Sequence, residues 1–446
     1  MPRSPRRSIA LGAVLPILSA CTDDDPVDTV DYADVATVLR THCVSCHQQG
    51  GLADFSLTTY EETAPRADAI VAATAARTMP PIPAVADGSC RELRDATWLD
   101  ADELQLLAAW AAAGSPPADD VDDVGELPPK PRLGDDALTL TLAEPYTPAP
   151  AANQQDEYRC FALDPSLDAP AVLTAAEFVP GNRELVHHIG LFAVDPDRDL
   201  GPFTNGEVIA LMESDDPALG WNCFGGIGAA QPRSQVSGWS GGTAVVEMPE
   251  GSGMTLFAGE LLVMQIHYRV HDDAAGQADQ TSIRLQLQSD AASRVTSVFQ
   301  DPITFATEGA STTTGMPSLP PGQADARFEW ELPITTLWDE YEAQEGTSVA
   351  GLRLLGVGPH MHNLGTALEF SVIAPEADPI CGLEVRRWDH AWQNTYFYDE
   401  PIVVTDRATL IRVTCHYDTT GVTAPVFAGH DAGREMCGLL SYVTAI

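Results

Sequence analysis

From residue 136 to residue 446 the chain consists of short runs in which apolar and polar residues alternate, separated by turn residues. Such runs cover residues 138–142, 171–179, 261–268, 352–357 and 409–415. Alternation with a period of two is typical of β-strands, because successive side chains point to opposite faces of a sheet. We therefore expect an all-β region that is long enough for two sandwich-like domains.

Five histidines of this region form two ordered groups. His187 and His188 are adjacent, and His267 follows in a later strand-like run, on the face opposite its apolar residues. His360 and His362 are separated by one residue, so on a strand both imidazoles lie on one face. Taken alone, a His-x-His pattern is often a surface accident. Together, the two groups favour copper, since zinc more often recruits carboxylate or thiolate ligands.

The order of these groups resembles the copper type II, ascorbate-dependent monooxygenases, the family of dopamine β-monooxygenase and peptidylglycine α-hydroxylating monooxygenase. Glu435-Met436-Cys437 resembles a further segment of that family, which supplies a methionine ligand. The resemblance covers residues 136–446 and implies two jelly-roll-like β-domains with one copper each, over residues 136–295 and 296–446.

The resemblance also assigns a role to each ligand group. The electron-transfer copper is expected to be bound by His187, His188 and His267. The catalytic copper is expected to be bound by His360, His362 and Met436. A buried methionine such as Met436 is, on its own, more often part of a core. Some family members hold a peptide carboxylate with an arginine where this chain has Gly358, so a peptide ending in glycine is not the expected substrate.

Six of the nine cysteines lie between residues 90 and 437. In an exported protein, an oxidising environment favours disulfides between them. The resemblance implies a bridge between Cys415 and Cys437 and another between Cys160 and Cys223. For Cys90 and Cys381 both a bridge and two thiols are open.

Near the N-terminus, residues 43–47 read Cys-Val-Ser-Cys-His, the attachment pattern of c-type haem. Cys43 and Cys46 can each bond a haem vinyl group, and His47 then lies under the iron as an axial ligand. Met79 precedes two prolines and resembles the distal axial ligand of cytochrome c. The alternatives are a redox disulfide or half a zinc site for the cysteines, and a core position for Met79.

Two predicted amphipathic helices bracket the haem motif, so residues 31–118 resemble a small all-α cytochrome c domain. The second helix begins with Asp100 and Glu103 in the spacing of a capping box. Residues 119–135 are rich in proline, glycine and acidic residues, which is typical of a linker. The expected fold class is thus multidomain, with a small all-α cytochrome c domain followed by two all-β jelly-roll-like sandwich domains.

Residues 1–20 have the basic start and short apolar run of an export signal. Residues 18–21 read Leu-Ser-Ala-Cys and resemble a lipobox, which predicts lipidation of Cys21 and an acidic tether over residues 21–30. An ordinary cleaved signal peptide is the alternative. We expect a bacterial cell-envelope protein that is held to the membrane by its lipid alone, because no later segment has 18 uninterrupted apolar residues.

The charge of the chain excludes one class of function. With 24 Lys and Arg against 64 Asp and Glu, the formal net charge is −40. Such a polyanion repels nucleic-acid phosphates, so nucleic acid is not an expected partner.

These features predict an exported copper-dependent monooxygenase that hydroxylates a substrate C–H bond with O2, with a covalent haem c as electron relay. Its partners would be a small-molecule substrate and an external electron donor, either an ascorbate-like reductant or a redox protein. The alternative is a copper- and haem-binding electron carrier or copper-handling lipoprotein without hydroxylase activity, since ligands alone do not prove turnover.

Overall fold

The computed structural model describes most of the chain after the predicted signal and tether. The described residues are 30–49, 53–81, 84–94, 98–127, 132–152, 154–224, 226–240, 245–271, 274–301, 318–390, 392–429 and 433–446. The predicted signal and the lipidation of Cys21 lie outside these residues. The structure is mostly β-sheet, with 37% strand and 16% helix. No helix in the described ranges is long and apolar enough to cross a membrane.

The helices are short and most lie near the N-terminus. They are α1 (Tyr32–His42), α2 (Tyr60–Thr63) with a 3-10 turn (Ala64–Arg66), α3 (Ala67–Ala75), α4 (Ala101–Ala112), α5 (Asn205–Asp215) and α6 (Thr335–Glu345). Asp100 and Glu103 form the predicted capping box at the start of α4, where each side chain accepts from the backbone N–H of the other residue. This cap satisfies two of the N–H groups that a helix start leaves without intrahelical partners.

The strands begin at Leu138, after the predicted linker, as the alternating pattern predicts. They are β1 (Leu138–Thr141), β2 (Asp156–Leu163), β3 (Ala171–Val179), β4 (Val186–Val194), β5 (Trp221–Asn222), β6 (Ser234–Ser240), β7 (Val245–Glu247), β8 (Ser252–Leu256), β9 (Leu261–Arg269), β10 (Ser282–Gln288), β11 (Ser293–Gln300), β12 (Ala326–Pro333), β13 (Leu352–His360), β14 (Gly365–Ile373), β15 (Ile380–Val385), β16 (Tyr396–Val404), β17 (Leu410–Tyr417) and β18 (Gly438–Ala445).

Within the described residues, the largest sheet has nine strands. Its order is β1-β10-β3-β8-β11-β18-β13-β16, and β7 pairs with β3. Strands β8 and β11 pair in parallel, which joins the strands of the first half of the β-region to those of the second. Two smaller sheets have the orders β5-β2-β9-β4-β6 and β12-β17-β14-β15.

Each small sheet packs against a different part of the large sheet. One apolar core places Met264 and Ile266 of β9 together with Phe178 of β3. The other places Trp330 of β12 together with Val357 of β13. Fully burying a large apolar side chain contributes about 1.5–3 kcal/mol, so these two cores are the main stabilising feature of the fold.

The predicted fold class is wrong, because no separate all-α cytochrome c domain is evident in the described part of the chain. The residues between α3 and α4 instead pair with the β-region, where Ala84 bridges Val385 and Leu93 bridges Tyr398. Ala84 and Leu93 also belong to the apolar core of the second half. In addition, strands from both halves share one sheet. Local periodicity identifies helices and strands, but it carries no information on which of them pack together.

Candidate metal centres

His187, His188 and His267, here called the three-histidine group, converge on one point of the five-stranded sheet. β4 and β9 are antiparallel neighbours, and His188 lies opposite His267 in their register. The register shifts between Val186 and His188. Such an irregularity places an extra residue on one strand, which lets both tandem histidines reach the same partner. One ring nitrogen of each residue lies within 4.8 Å of the other two.

Hydrogen bonds select which nitrogen of His267 faces the group. Its Nε2 lies 2.9 Å from Oδ1 of Asp156, and its Nδ1 lies 3.2 Å from Nδ1 of His188. An ionised carboxylate can only accept a hydrogen bond, so Asp156 holds His267 as the Nε2–H tautomer, and Nδ1 carries the lone pair. The hydrogen bond from His267 lowers the pKa of Asp156. This carboxylate–histidine arrangement is the common outer support of a metal ligand.

The three-histidine group is buried. His267 is only 2% exposed. Burial, followed by the neighbouring His267, lowers the pKa of His187 to about 3. Nδ1 of His187 is buried and has no hydrogen-bond partner among the described residues. Because an orphaned buried nitrogen is costly, three imidazoles that meet in this way fit a copper ion.

His360 and His362, here called the histidine pair, lie at the end of β13. Their ring centroids are 5.3 Å apart and the rings are nearly perpendicular. Nδ1 of His360 lies 2.7 Å from Oε1 of Gln393, and Nδ1 of His362 lies 2.8 Å from the carbonyl oxygen of Arg434. Each Nδ1 is therefore bound to an oxygen, which assigns Nε2 as the nitrogen for a metal.

The segment of the predicted methionine ligand lies against the histidine pair. The carboxylate of Glu435 accepts the backbone N–H groups of His362 and Leu364, at 3.0 and 2.7 Å. Burial raises the pKa of Glu435 to about 7. Met436 is 1% exposed, and its carbonyl oxygen accepts from the hydroxyl of Tyr417. Met436 is thus adjacent in sequence to Glu435, which is hydrogen-bonded to the backbone of His362. The role of Met436 as a ligand stays a prediction.

Aromatic rings connect the three-histidine group with the histidine pair. Tyr158 lies opposite His267 in the β2–β9 register, and the two rings stack at 4.2 Å with planes 5° apart. Phe224 contacts Tyr158 at 4.8 Å and His362 at 5.6 Å. His390 lies 6.1 Å from His362 and 6.2 Å from Tyr158, between ring centroids. A continuous set of ring contacts therefore connects the two candidate centres.

A cavity of about 310 Å³ opens beside these rings. It is lined by Asp156, Tyr158, Phe224, His267, Arg269, Asn363, Gly365, Trp388, Asp389 and His390. Burial, followed by His362, lowers the pKa of His390 to about 4, so this imidazole is neutral at pH 7. A cavity of this size accommodates a small organic molecule.

No sequence pattern pointed to Tyr158, Phe224 or His390 as site residues. His390 matches no ligand position of the family pattern, and no motif includes either aromatic residue. A partial signal exists for Tyr158, since it lies two residues before Cys160 on a strand that pairs with the His267 strand. Such pairing cannot be read from one sequence.

The predicted haem motif lies at the end of α1. Cys43 and Cys46 form no disulfide with the described cysteines, and burial raises the pKa of the Cys43 thiol to about 12. Nδ1 of His47 lies 3.2 Å from the carbonyl oxygen of Phe55, which leaves Nε2 as the nitrogen for an axial position. Met79 is 40% exposed. Haem attachment and the Met79 ligand stay predictions.

Disulfide bonding is confirmed in the described residues. Three bridges are present, and they join Cys160 to Cys223, Cys415 to Cys437 and Cys90 to Cys381. The first two join the cysteines that the resemblance pairs, and the third settles the case that the sequence left open. Such bridges are typical of exported proteins, since cytosolic thiols are kept reduced.

Residues 318–444 match the family model of the copper type II ascorbate-dependent monooxygenase C-terminal domain. The match spans the histidine pair, Met436 and the Cys415–Cys437 bridge. It supports that family, and with it a copper-dependent monooxygenase that uses O2 and an ascorbate-like reductant.

Other comparisons add little. No curated protein is significantly similar in sequence. Among solved structures, the major capsid protein P2 from bacteriophage PM2 aligns with 69% of this chain and 97% of its own, at 10% identity and a TM-score of 0.28. A putative secreted protein from Parabacteroides distasonis aligns with 71% of this chain and 92% of its own, at 8% identity and a TM-score of 0.17. Overlaps this weak carry no functional argument.

Proposed function

We propose that this chain is an exported monooxygenase that hydroxylates a C–H bond of a small molecule, with copper at the three-histidine group and at the histidine pair. The observation that carries the proposal is the convergence of three buried imidazoles within 4.8 Å. Ring contacts connect this group with the histidine pair, which lies in the segment that matches the family. One oxygen atom of O2 enters the C–H bond and the other leaves as water, which consumes two electrons and two protons.

When bound, copper supplies one-electron redox chemistry and activation of O2, which no side chain can provide. The chain supplies the geometry for this chemistry. At the three-histidine group, three nitrogens without a soft ligand suit a tightly held ion that stores and passes on an electron. At the histidine pair, Nε2 of His360 and of His362 together with the Met436 sulfur would hold the ion. A thioether favours Cu(I), the state that reacts with O2.

The substrate would occupy the cavity beside the rings. Tyr158 and Arg269 both line it. Their side chains carry hydrogen-bond donors, so an acceptor oxygen of the substrate would suit this wall. Phe224 and Trp388 would cover its apolar part and keep water away from the reacting bond.

Haem c is the proposed entry point for electrons. Cys43 and Cys46 would each form a thioether bond, and His47, whose Nδ1 faces the Phe55 carbonyl, would bind iron through Nε2. Met79 would be the second axial ligand. The donor would be an ascorbate-like reductant or a redox protein, and a lipid on Cys21 would hold the protein at the bacterial cell envelope.

Isotope incorporation separates this proposal from a copper-handling or electron-carrying lipoprotein. Purified protein loaded with copper is supplied with ascorbate, ¹⁸O2 and a panel of small aromatic and aliphatic compounds. A hydroxylated product that carries one ¹⁸O atom is expected, together with two coppers per chain. His362→Ala is the matched control and should give no product. A protein that binds copper and consumes no O2 with any compound would support the carrier function instead.

A further inference from the structure

Residues 387–390 and 392–393, here called the bridging segment, connect β15 to β16 and contact both proposed metal centres. The first residue of the segment contacts the N-terminal region, since Nε of Arg387 donates to the carbonyl oxygen of Arg77 at 3.3 Å. It then runs along the cavity wall, which includes Trp388, Asp389 and His390. It ends beside the histidine pair.

At the three-histidine group the contact is made by Trp392. Its ring lies 5.4 Å from that of His187 with the planes 62° apart. At the histidine pair, the indole N–H of Trp388 donates to the carbonyl oxygen of His362 at 3.1 Å, and the backbone N–H of Trp388 donates to the carbonyl oxygen of Thr366 at 2.7 Å. Gln393 follows Trp392 directly and lies three residues before β16.

The side-chain amide of Gln393 makes two hydrogen bonds that define its orientation. Its Nε2 donates to the carbonyl oxygen of His390 at 3.0 Å. A carbonyl oxygen cannot donate, so the NH2 end of the amide must face His390 and Oε1 must face His360. Oε1 lies 2.7 Å from Nδ1 of His360, and because this oxygen only accepts, the proton of His360 resides on Nδ1.

We propose that Gln393 is a positioning residue that fixes the tautomer and ring orientation of His360, so that Nε2 presents its lone pair to the metal. This inference rests on the proposed copper site at the histidine pair. The three-histidine group lies on β4 and β9, whereas His360 lies on β13 of a different sheet. The register of one sheet therefore cannot orient His360 relative to the other centre, and the bridging segment supplies that orientation.

The test compares three variants in the copper-loaded full chain. Gln393→Leu keeps the side-chain size and removes both hydrogen bonds. Gln393→Glu keeps an acceptor for Nδ1. Gln344→Leu is the matched control, because Gln344 is also half-buried but bonds to Glu340 and Arg233, on and beside α6. Copper affinity of each centre is measured by competitive chelation, and the Cu(II) centres are resolved by electron paramagnetic resonance.

Gln393→Leu should weaken copper binding at the histidine pair about 10–100-fold, which is the usual effect of losing the outer partner of a ligand. Its paramagnetic spectrum should change at that centre only. Gln393→Glu keeps the acceptor for Nδ1 of His360 but loses the donor to His390, so it should retain most of the affinity, and Gln344→Leu should match the wild type. Circular dichroism checks that each variant is folded. If Gln393→Leu is not folded, a Gln393→Glu variant whose affinity falls as far as is expected for Gln393→Leu overturns the inference.

Two outcomes separate the inference from the proposed function. If the wild type holds two coppers and Gln393→Leu leaves both affinities and both spectra unchanged, the positioning role is overturned while the monooxygenase proposal stands. If the wild type holds no copper at the histidine pair, so that His362→Ala binds as much as the wild type, the proposed function itself is overturned.

Discussion

The three-histidine group and the histidine pair differ in how the chain brings their ligands together. His187, His188 and His267 come from two neighbouring strands, and the β4–β9 register with its irregularity sets their positions. His360 and His362 come from one strand end and depend on outer partners from remote segments, Gln393 and Arg434. A centre that is built within a sheet is preorganised by the backbone, whereas one at a strand end can keep an open position for a reactant.

Ligand chemistry adds to this contrast, whereas burial does not. His362 is fully buried, and His267 of the three-histidine group lines the cavity together with Tyr158. Three nitrogens without a soft ligand suit electron storage, and two nitrogens with a thioether suit reaction with O2. The following predictions test this division, from the largest expected effect to the smallest.

Loss of a ligand from the three-histidine group should have the largest effect. His267→Ala should remove copper from the three-histidine group and reduce turnover more than about 100-fold, because loss of an outer partner alone already costs about 10–100-fold. The histidine pair should keep its copper, as metal analysis would show with one copper per chain. A full single-turnover yield of product from pre-reduced His267→Ala protein would falsify the electron-storage role and would make the haem the direct donor.

Loss of the outer carboxylate should have a smaller effect on the same centre. Asp156→Ala should weaken copper binding at the three-histidine group about 10–100-fold, since His267 loses the acceptor that fixes its tautomer. Asp156→Asn is the control, because its Oδ1 still accepts from Nε2 and should preserve most of the affinity. Competitive chelation measures both, and equal affinities for Asp156→Ala and wild type would contradict the assigned tautomer.

Replacement of the soft ligand should affect chemistry more than binding. Met436→His should slow O2-dependent turnover roughly tenfold, or about 1.4 kcal/mol, while two coppers stay bound. The reason is that an imidazole stabilises Cu(II) more than a thioether does. Turnover and metal content are measured on the same preparation. Unchanged turnover would remove Met436 from the catalytic centre.

Removal of the haem motif should leave both copper centres as they are. Cys43→Ala combined with Cys46→Ala should abolish covalent haem, because thioether attachment needs these thiols, and should retain two coppers per chain. Haem staining after denaturing electrophoresis and metal analysis give the two results. Retained staining would refute the attachment site, and lost copper would show that the N-terminal region supports the metal centres.

The sequence by itself determined the parts of this protein that local pattern encodes. Alternating runs placed strands such as β3 and β9 correctly, because the side-chain period of a strand is written directly in the residue order. The spacing of Asp100 and Glu103 identified a helix start for the same reason. The ordered histidines identified three residues that the structure then brings together in the three-histidine group.

Only the tertiary structure decided how these elements combine. The parallel pairing of β8 with β11 merges the two halves in one sheet, and the bridges at Ala84 and Leu93 join the N-terminal region to the β-region. The same holds for Gln393 and Tyr158, which meet a ligand histidine through a loop and through a strand pair. Such contacts depend on which surfaces pack together in the whole chain. The sequence around any one of these residues has no periodic pattern that predicts its partner.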